Sequence, residues 1–174
     1  LGELMEKGPM ERSRVLEISS QLAKALSYAH SQVIIHRDFK PENVLMTPSE
    51  VPKVMDFGLA KISQAPNMTV EGSIMGSPKY MSPEQAKGEG TDERTDIYSF
   101  GITIFELLTG RPPFEGDTMA VLMKHVNEPP PKITQELPDL APVLAGMVEK
   151  MLEKDPQNRQ ANMDEIVKIL EAAV

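Results

Sequence analysis

Residues 34 to 46 read IIHRDFKPENVLM, and this stretch decides how the rest of the sequence is interpreted. Ionisable and amide side chains crowd the positions from His36 to Asn43, between two apolar runs. Short apolar runs rich in β-branched residues are typical of strands rather than helices. With the apolar run at residues 53 to 57, the sequence predicts three short strands joined by polar turns: VII, NVLM and KVMDF.

The turns among these strands contain a set of oxygen ligands. Asp38 and Asp56 lie eighteen residues apart, each where a strand meets a turn, and Asn43 lies between them. If a hairpin brings the three together, they form a site of the kind that holds Mg²⁺, and Lys40 adds a positive charge suited to phosphate. Taken one at a time, these residue types are more often found in turns for turn geometry and solvation.

Composition restricts the class of protein. The 174 residues, 40% hydrophobic and 25% charged, fit one globular domain. A net charge of -8 argues against nonspecific binding to nucleic acid or an anionic membrane, which both require a positive field. The absence of cysteine excludes disulfides and thiolate metal sites. The sequence contains no apolar run long enough for a membrane segment. Because the sequence begins with Leu1 rather than Met, we expect it to be a fragment of a longer protein.

Helical periodicity accounts for most of the remaining sequence. Apolar residues recur at helical spacing over residues 12 to 30, and the segment 96 to 108 is apolar on nearly every side, which predicts a buried helix. The expected fold class is therefore α+β, mainly helical, with a few short strands. Further helices are predicted from Asp117 or Thr118 to about Val126, over the stripe from Leu140 to Leu152, and after an N-cap at Asn162 with Glu165 at N3.

The polar motifs follow one another in a recognisable order. They are His36-Arg37-Asp38, Lys40, Asn43, Asp56-Phe57-Gly58 and Ser82-Pro83-Glu84. This order and spacing resembles the catalytic-loop, metal-binding and activation-segment signatures of protein kinases. The amino-acid sequence around these motifs is most similar to that of bacterial Ser/Thr kinases of the eukaryotic type. The resemblance implies that residues 1 to 174 are the C-terminal lobe of a kinase domain, with a catalytic loop at 36–43 and an activation segment at 56–84.

The resemblance assigns a role to each residue of the site. Asp38 orients the substrate hydroxyl and accepts its proton, and Lys40 contacts the transferred γ-phosphate of ATP. Asn43 and Asp56 hold Mg²⁺, with Mn²⁺ as an alternative, and Leu45 forms the apolar floor beneath adenine. The expected partner is a protein substrate that offers a Ser or Thr hydroxyl.

Other matches are architectural by the same resemblance. His36 and Phe57 belong to a packed column that aligns the site, and Asp96 anchors the backbone of the catalytic loop. Glu84 and Arg159 are expected to form a buried ion pair.

Regulation is also implied by the resemblance. Arg37 beside Asp38 is typical of kinases that are switched on when a phosphate pairs with arginine and orders the activation segment. Thr69 and Ser73 are the candidate phosphorylation sites. For either residue alone, a solvated hydroxyl without a role is an equally good interpretation.

The family places further ATP-binding parts before this lobe. No GxGxxG occurs in residues 1 to 174, so we expect the N-terminal lobe to be missing and the isolated chain to be inactive. The alternative is a pseudokinase-like scaffold that binds a partner without catalysis. A cytoplasmic location is expected, in a parent that can be membrane-anchored, since many bacterial members carry a membrane span and a sensor after the kinase domain.

Overall fold

The computed structural model describes residues 1–6, 8, 10–57 and 78–173. Over these ranges the fold is mainly helical with one two-stranded sheet, as the sequence predicts. No helix within the described residues is long and apolar enough to cross a membrane. The helices are α1 Gly2–Met5, α2 Arg12–Ser31, α3 Pro83–Lys87, α4 Glu93–Thr109, α5 Thr118–Asn127, α6 Ile133–Glu136, α7 Pro142–Met151 and α8 Met163–Ala173. The strands are β1 Val44–Met46 and β2 Pro52–Val54, and 3₁₀ turns cover Pro41–Asn43, Pro78–Tyr80 and Pro156–Asn158.

Helix α4 lies at the centre of the core, and every residue from Thr95 to Leu108 is buried. Its ends follow from local chemistry. The Asp92 carboxylate caps the first turn by accepting from Arg94 N–H at 2.8 Å, and Gly110 ends the helix in the left-handed region at φ 77°. At Gly101, a Cβ atom would lie 2.8 Å from the Cβ of Met151, so the missing side chain allows α7 to pack closely against α4.

The remaining helices pack around α4 and agree closely with their sequence patterns. Helix α2 buries the stripe predicted over residues 12 to 30 and packs along α8. Asp117 is the cap of α5, since its carboxylate accepts from Ala120 N–H at 2.9 Å. Asn162 caps the start of α8 by accepting from Glu165 N–H at 3.3 Å. Helix α7 begins at Pro142, two residues after the first member of its apolar stripe.

The strands β1 and β2 form an antiparallel hairpin that presents the polar turns. Val44 pairs with Val54, Leu45 with Lys53 and Met46 with Pro52. The hairpin confirms two of the three strands predicted from the sequence.

The third predicted strand, VII at residues 33 to 35, is wrong. Val33 has φ 61°, in the left-handed region, and the Ile34 N–H donates to the Ala29 carbonyl at 3.0 Å. The segment is therefore a turn that closes the end of α2. Backbone bonding to the helix end overrides the strand preference of these β-branched residues.

Val33 is also a site of backbone strain, because a β-branched residue in the left-handed region is a steric outlier. Its side chain is 90% exposed, so packing offsets little of this strain. Glycine at this position relieves about 1 to 2 kcal/mol of strain in the folded state. It also costs about 0.4 to 1 kcal/mol, because it increases the conformational entropy of the unfolded chain. The relief of strain is the larger effect. We expect Val33→Gly to raise the free energy of unfolding by about 1 kcal/mol, measured by urea denaturation.

Val143→Gly is the matched control for this prediction. Val143 is 58% exposed but lies inside α7, where glycine costs up to about 1 kcal/mol of helix stability. The two substitutions should therefore shift stability in opposite directions. A loss of stability in Val33→Gly would show that the turn carries no strain.

Candidate active site

The loop at residues 36–43 is fixed to the core by the buried carboxylate of Asp96. Asp96 Oδ2 accepts from the His36 N–H at 2.8 Å, and Oδ1 accepts from the Arg37 N–H at 2.8 Å. His30 Nε2 donates to Oδ2 at 2.7 Å. Because Asp96 lies in the first turn of α4, these bonds attach the loop to the most buried helix. They also stabilise Arg37 at φ 64°, a conformation that would otherwise be costly.

His36 is a buried core residue with one defined tautomer. Its Nδ1 accepts from the Asp38 N–H at 3.3 Å, so its Nε2–H donates to the Met55 carbonyl at 2.8 Å. Aromatic rings pack on both sides, with centroids at 5.0 Å for Phe57 and 5.8 Å for Phe39. With both ring nitrogens occupied, His36 has no free nitrogen to act as a base. It joins the loop to the end of the hairpin.

Asp38, Lys40 and Asn43 form one hydrogen-bonded cluster in this loop. Lys40 Nζ donates to Asp38 Oδ2 at 3.0 Å, and Asn43 Nδ2 donates to the Asp38 carbonyl at 2.8 Å. The Asp38 side chain is 39% exposed and that of Lys40 is 17% exposed. The carboxylate is thus held in one orientation while remaining accessible to a bound molecule.

The hairpin brings Asp56 next to this cluster. The Met55 N–H donates to the Asn43 carbonyl at 2.8 Å, so Asp56 follows directly after the residue bonded to Asn43. Asp56 has φ 58° and is exposed, and its carboxylate accepts no hydrogen bond from the described residues.

The donor set here fits Mg²⁺. The Asn43 amide nitrogen donates to the Asp38 carbonyl, and among the described residues neither the Asn43 amide oxygen nor the Asp56 carboxylate accepts a hydrogen bond. Mg²⁺ prefers such hard oxygen ligands and usually completes its shell with water and substrate phosphates. The described residues contain no group of three or more His, Cys, Asp or Glu side chains that could hold a metal by themselves. A metal at this site would therefore depend on a phosphate ligand.

An apolar surface borders the cluster. Leu45 on β1 is 55% exposed and Met55 is 43% exposed, so both side chains present apolar surface to solvent. Both residues line a cleft of about 660 Å³ between α1 and the hairpin. Glu42, Lys79 and Tyr80 line the same cleft. The cleft thus combines an apolar surface with charged groups beside the loop.

Glu84 and Arg159 form a buried, bidentate ion pair. Arg159 Nη1 donates to Oε1 and Nη2 to Oε2 of Glu84, both at 2.9 Å, and Thr95 Oγ1 donates to Oε1 at 2.8 Å. The three remaining Arg159 N–H groups donate to the carbonyls of Glu153, Arg94 and Lys154. All five donors of the guanidinium are therefore used, which is the condition under which a buried pair is tolerated.

The segment before Glu84 is held at four points by α4 and α5. Glu106 accepts from Lys79 Nζ at 2.5 Å and from the Tyr80 hydroxyl at 2.8 Å. Ser99 Oγ donates to the Tyr80 carbonyl at 2.8 Å, and His125 Nε2 lies 3.0 Å from the Lys79 carbonyl. Burial and Glu106 raise the pKa of the Tyr80 phenol, so it keeps its proton and donates.

Helix α3 then joins this segment to the loop at 36–43. Gln85 Nε2 donates to the Arg37 carbonyl at 2.6 Å. Sequence reasoning missed Gln85, Glu106, His125 and Ser99 as site residues. Glu106 and Ser99 were detectable as polar side chains in the apolar helix at 96 to 108, but their partners were not. Thr69 and Ser73, the candidate phosphorylation sites, lie outside the described residues.

The architecture and the motif order define a class of protein. Residues 1 to 170 match the family described as protein kinase domain. The chain therefore belongs to the protein kinase family, and its helical fold with a short hairpin is that of a kinase C-terminal lobe.

Its relatives are bacterial Ser/Thr protein kinases. A probable serine/threonine-protein kinase of Clostridium perfringens is 45% identical over 172 residues, covering 97% of this chain and 25% of that protein. The serine/threonine-protein kinase pkn3 of Myxococcus xanthus is 40% identical over 172 residues, covering 92% and 31%. PknB of Mycolicibacterium smegmatis is 41% identical over 155 residues, covering 87% and 25%. The chain spans about a quarter to a third of the length of these relatives.

The buried ion pair gives a pH-dependent prediction. Burial raises the pKa of Glu84, but the hydrogen bonds and charge of Arg159 outweigh burial and leave the pKa below 4.5. The stabilisation is therefore complete above pH 4.5 and is lost as the pH falls through the lower folded pKa. We expect Glu84→Gln to lower the free energy of unfolding by about 3 to 5 kcal/mol at pH 7, and by less at acid pH.

The measurement is urea denaturation of both proteins across this pH range. Glu171→Gln is the control, because its bridge to Lys24 is about half exposed and is expected to contribute less than about 1 kcal/mol. Equal effects of the two substitutions at pH 7 would contradict the assigned role of Glu84.

Proposed function

We propose that this lobe belongs to a kinase that transfers the γ-phosphate of ATP to Ser or Thr hydroxyls of proteins. The observation that carries the proposal is the cluster in which Lys40 and Asn43 hold Asp38 in an accessible orientation beside Asp56. A purely structural turn requires neither a buried anchor such as Asp96 nor a set of free oxygen ligands. Phosphoryl transfer makes use of both, because its barrier is lowered mainly by positioning and charge neutralisation.

Asp38 orients the attacking hydroxyl. Its Oδ2 is bonded to Lys40, so Oδ1 remains available to accept from a substrate hydroxyl. The new bond joins the substrate oxygen to the γ-phosphorus, the bond from that phosphorus to the bridging oxygen of ADP breaks, and Asp38 accepts the hydroxyl proton. Lys40 lies beside this carboxylate, where its ammonium group neutralises charge on the transferred phosphoryl group.

Asn43 and Asp56 are the residues that would hold Mg²⁺, with Mn²⁺ as an alternative. When bound, the ion would neutralise negative charge on the phosphates of ATP. The backbone bond from the Met55 N–H to the Asn43 carbonyl keeps Asn43 and Asp56 close together, which supports this assignment. Leu45 contributes an exposed apolar surface on which the adenine ring can lie. ATP as co-substrate favours a cytoplasmic location for this lobe.

The proposal is tested in the full-length protein with Asp38→Asn. The change keeps the size of the side chain but removes its charge and the acceptor for the proton. We expect transfer of labelled γ-phosphate to a basic acceptor protein to fall by a factor of about 10² to 10⁴, the usual contribution of a positioned acid or base.

Asp139→Asn is the matched control, since Asp139 is an exposed carboxylate whose side chain is 75% accessible. It should leave the rate within about twofold, as surface substitutions shift stability little. Undiminished transfer in Asp38→Asn would overturn the assignment of Asp38. Absence of transfer in the unaltered full-length protein would favour a scaffold without catalysis.

The 174-residue chain on its own is proposed to be inactive. Residues 1 to 174 contain no glycine-rich GxGxxG loop, and the surface formed by Leu45 and Met55 is open. An ATP molecule on this surface would be held from one side only, so its phosphates would not be oriented. The same labelled-phosphate assay on the isolated chain measures this directly, and turnover that disappears with Asp38→Asn would contradict it.

A further inference from the structure

A buried histidine outside the proposed catalytic cluster is bonded at both ring nitrogens. His125 on α5 is fully buried, with Nε2 3.0 Å from the Lys79 carbonyl and Nδ1 2.9 Å from the Tyr98 hydroxyl. Burial, with a smaller effect of the Lys154 charge, lowers the pKa of His125 to about 4. The ring is therefore neutral near pH 7, and only one of its nitrogens carries a proton.

The neighbouring groups decide which nitrogen that is. A backbone carbonyl can only accept, so the nitrogen facing Lys79 must be Nε2–H. Nδ1 is then an acceptor, and the Tyr98 hydroxyl donates to it. Burial raises the pKa of Tyr98, so this hydroxyl keeps its proton. The Tyr98 oxygen in turn accepts from Lys154 Nζ at 3.3 Å.

Lys154 sets the direction of these hydrogen bonds because an ammonium group can only donate. Its Nζ also donates to the Lys124 carbonyl at 3.2 Å and lies 4.4 Å from the ring centroid of Phe114. Burial lowers the pKa of Lys154 to about 8, which still leaves it mostly protonated at pH 7. Lys154, Tyr98 and His125 thus form a hydrogen-bonded relay. Lys154 donates to the Tyr98 oxygen, the Tyr98 hydroxyl donates to His125 Nδ1, and His125 Nε2–H donates to the Lys79 carbonyl.

The relay ends in a segment that borders the cleft beside the proposed catalytic loop. Lys79 and Tyr80 line the cleft beside Glu42, two residues after Lys40. The same segment continues into α3, whose Gln85 is bonded to the Arg37 carbonyl next to Asp38. A substrate that presented a hydroxyl to Asp38 would therefore lie near this segment.

We propose that the relay of Lys154, Tyr98 and His125 positions the Lys79–Tyr80 backbone and thereby sets affinity for the protein substrate rather than the phosphoryl-transfer step. The inference rests on the proposed kinase function. None of the three residues touches the cluster of Asp38, Lys40 and Asn43. They are positioning residues, and their effect passes through the Lys79 carbonyl.

The hydrogen-bond direction can be tested without any activity. In the full-length protein with ¹⁵N-labelled histidine, we expect the His125 signals to show a protonated Nε2 and an unprotonated Nδ1 by NMR at pH 7. His125→Gln identifies the signals by their disappearance. The same tautomer should persist to about pH 5, below the ordinary histidine pKa of about 6.5. An Nδ1–H tautomer, or titration between pH 6 and 7, would overturn the relay.

The kinetic test is Tyr98→Phe in the full-length protein, which removes only the central hydroxyl. We expect the KM for the protein substrate to rise about tenfold, equivalent to about 1.4 kcal/mol, with the KM for ATP and kcat within about twofold. Tyr28→Phe is the matched control, since Tyr28 is 71% exposed, and it should change nothing.

Conservative variants separate positioning from a loss of fold. His125→Gln can place an amide N–H near the Nε2 position and should restore part of the substrate affinity that His125→Leu loses. Unchanged constants in Tyr98→Phe, or a fall in kcat equal to the change in KM, would overturn the proposal. If the unaltered protein transfers no phosphate, the kinase function itself fails, while the NMR result still decides the relay.

Discussion

A single buried carboxylate, Asp96, constrains the whole site. It accepts two backbone N–H groups and one imidazole N–H, so its charge is solvated by the protein instead of by water. Such a group is costly to bury unless every bond is made, and the loop at 36–43 supplies two of the three. The loop is thereby held in a conformation with Arg37 at positive φ that it would not adopt alone.

Buried carboxylates also hold α3 and the segment before it, which lines the same cleft. Glu84 and Glu106 are buried carboxylates on α3 and α4, and each binds groups from distant parts of the sequence. Buried ion pairs contribute little net stability compared with apolar packing, but losing one partner is costly. Here they hold short segments, among them the 3₁₀ turn Pro78–Tyr80, in place against the helical core.

The sequence predicted what depends on local pattern. The helix at 96 to 108 was identifiable from its continuous apolar character and from Gly110, and the hairpin from its β-branched runs. The strand assigned to residues 33 to 35 failed because bonding to the end of α2 outweighed local preference. The contact between His125 and Lys79 could not be predicted, since it joins residues 46 positions apart and periodicity carries no information about pairing. The roles of Asp38 and Asn43 came from resemblance to a family.

The hairpin between Asn43 and Asp56 has a consequence for how this chain tolerates insertions and deletions. Side chains alternate between the two faces of a strand, so one residue added within β1 or β2 would turn Asp56 away from Asn43. Residues 47 to 51 form the connecting turn and carry no such constraint. Among related sequences, insertions and deletions should therefore occur in the turn. They should be absent from the six positions of β1 and β2, whatever residues occupy those positions.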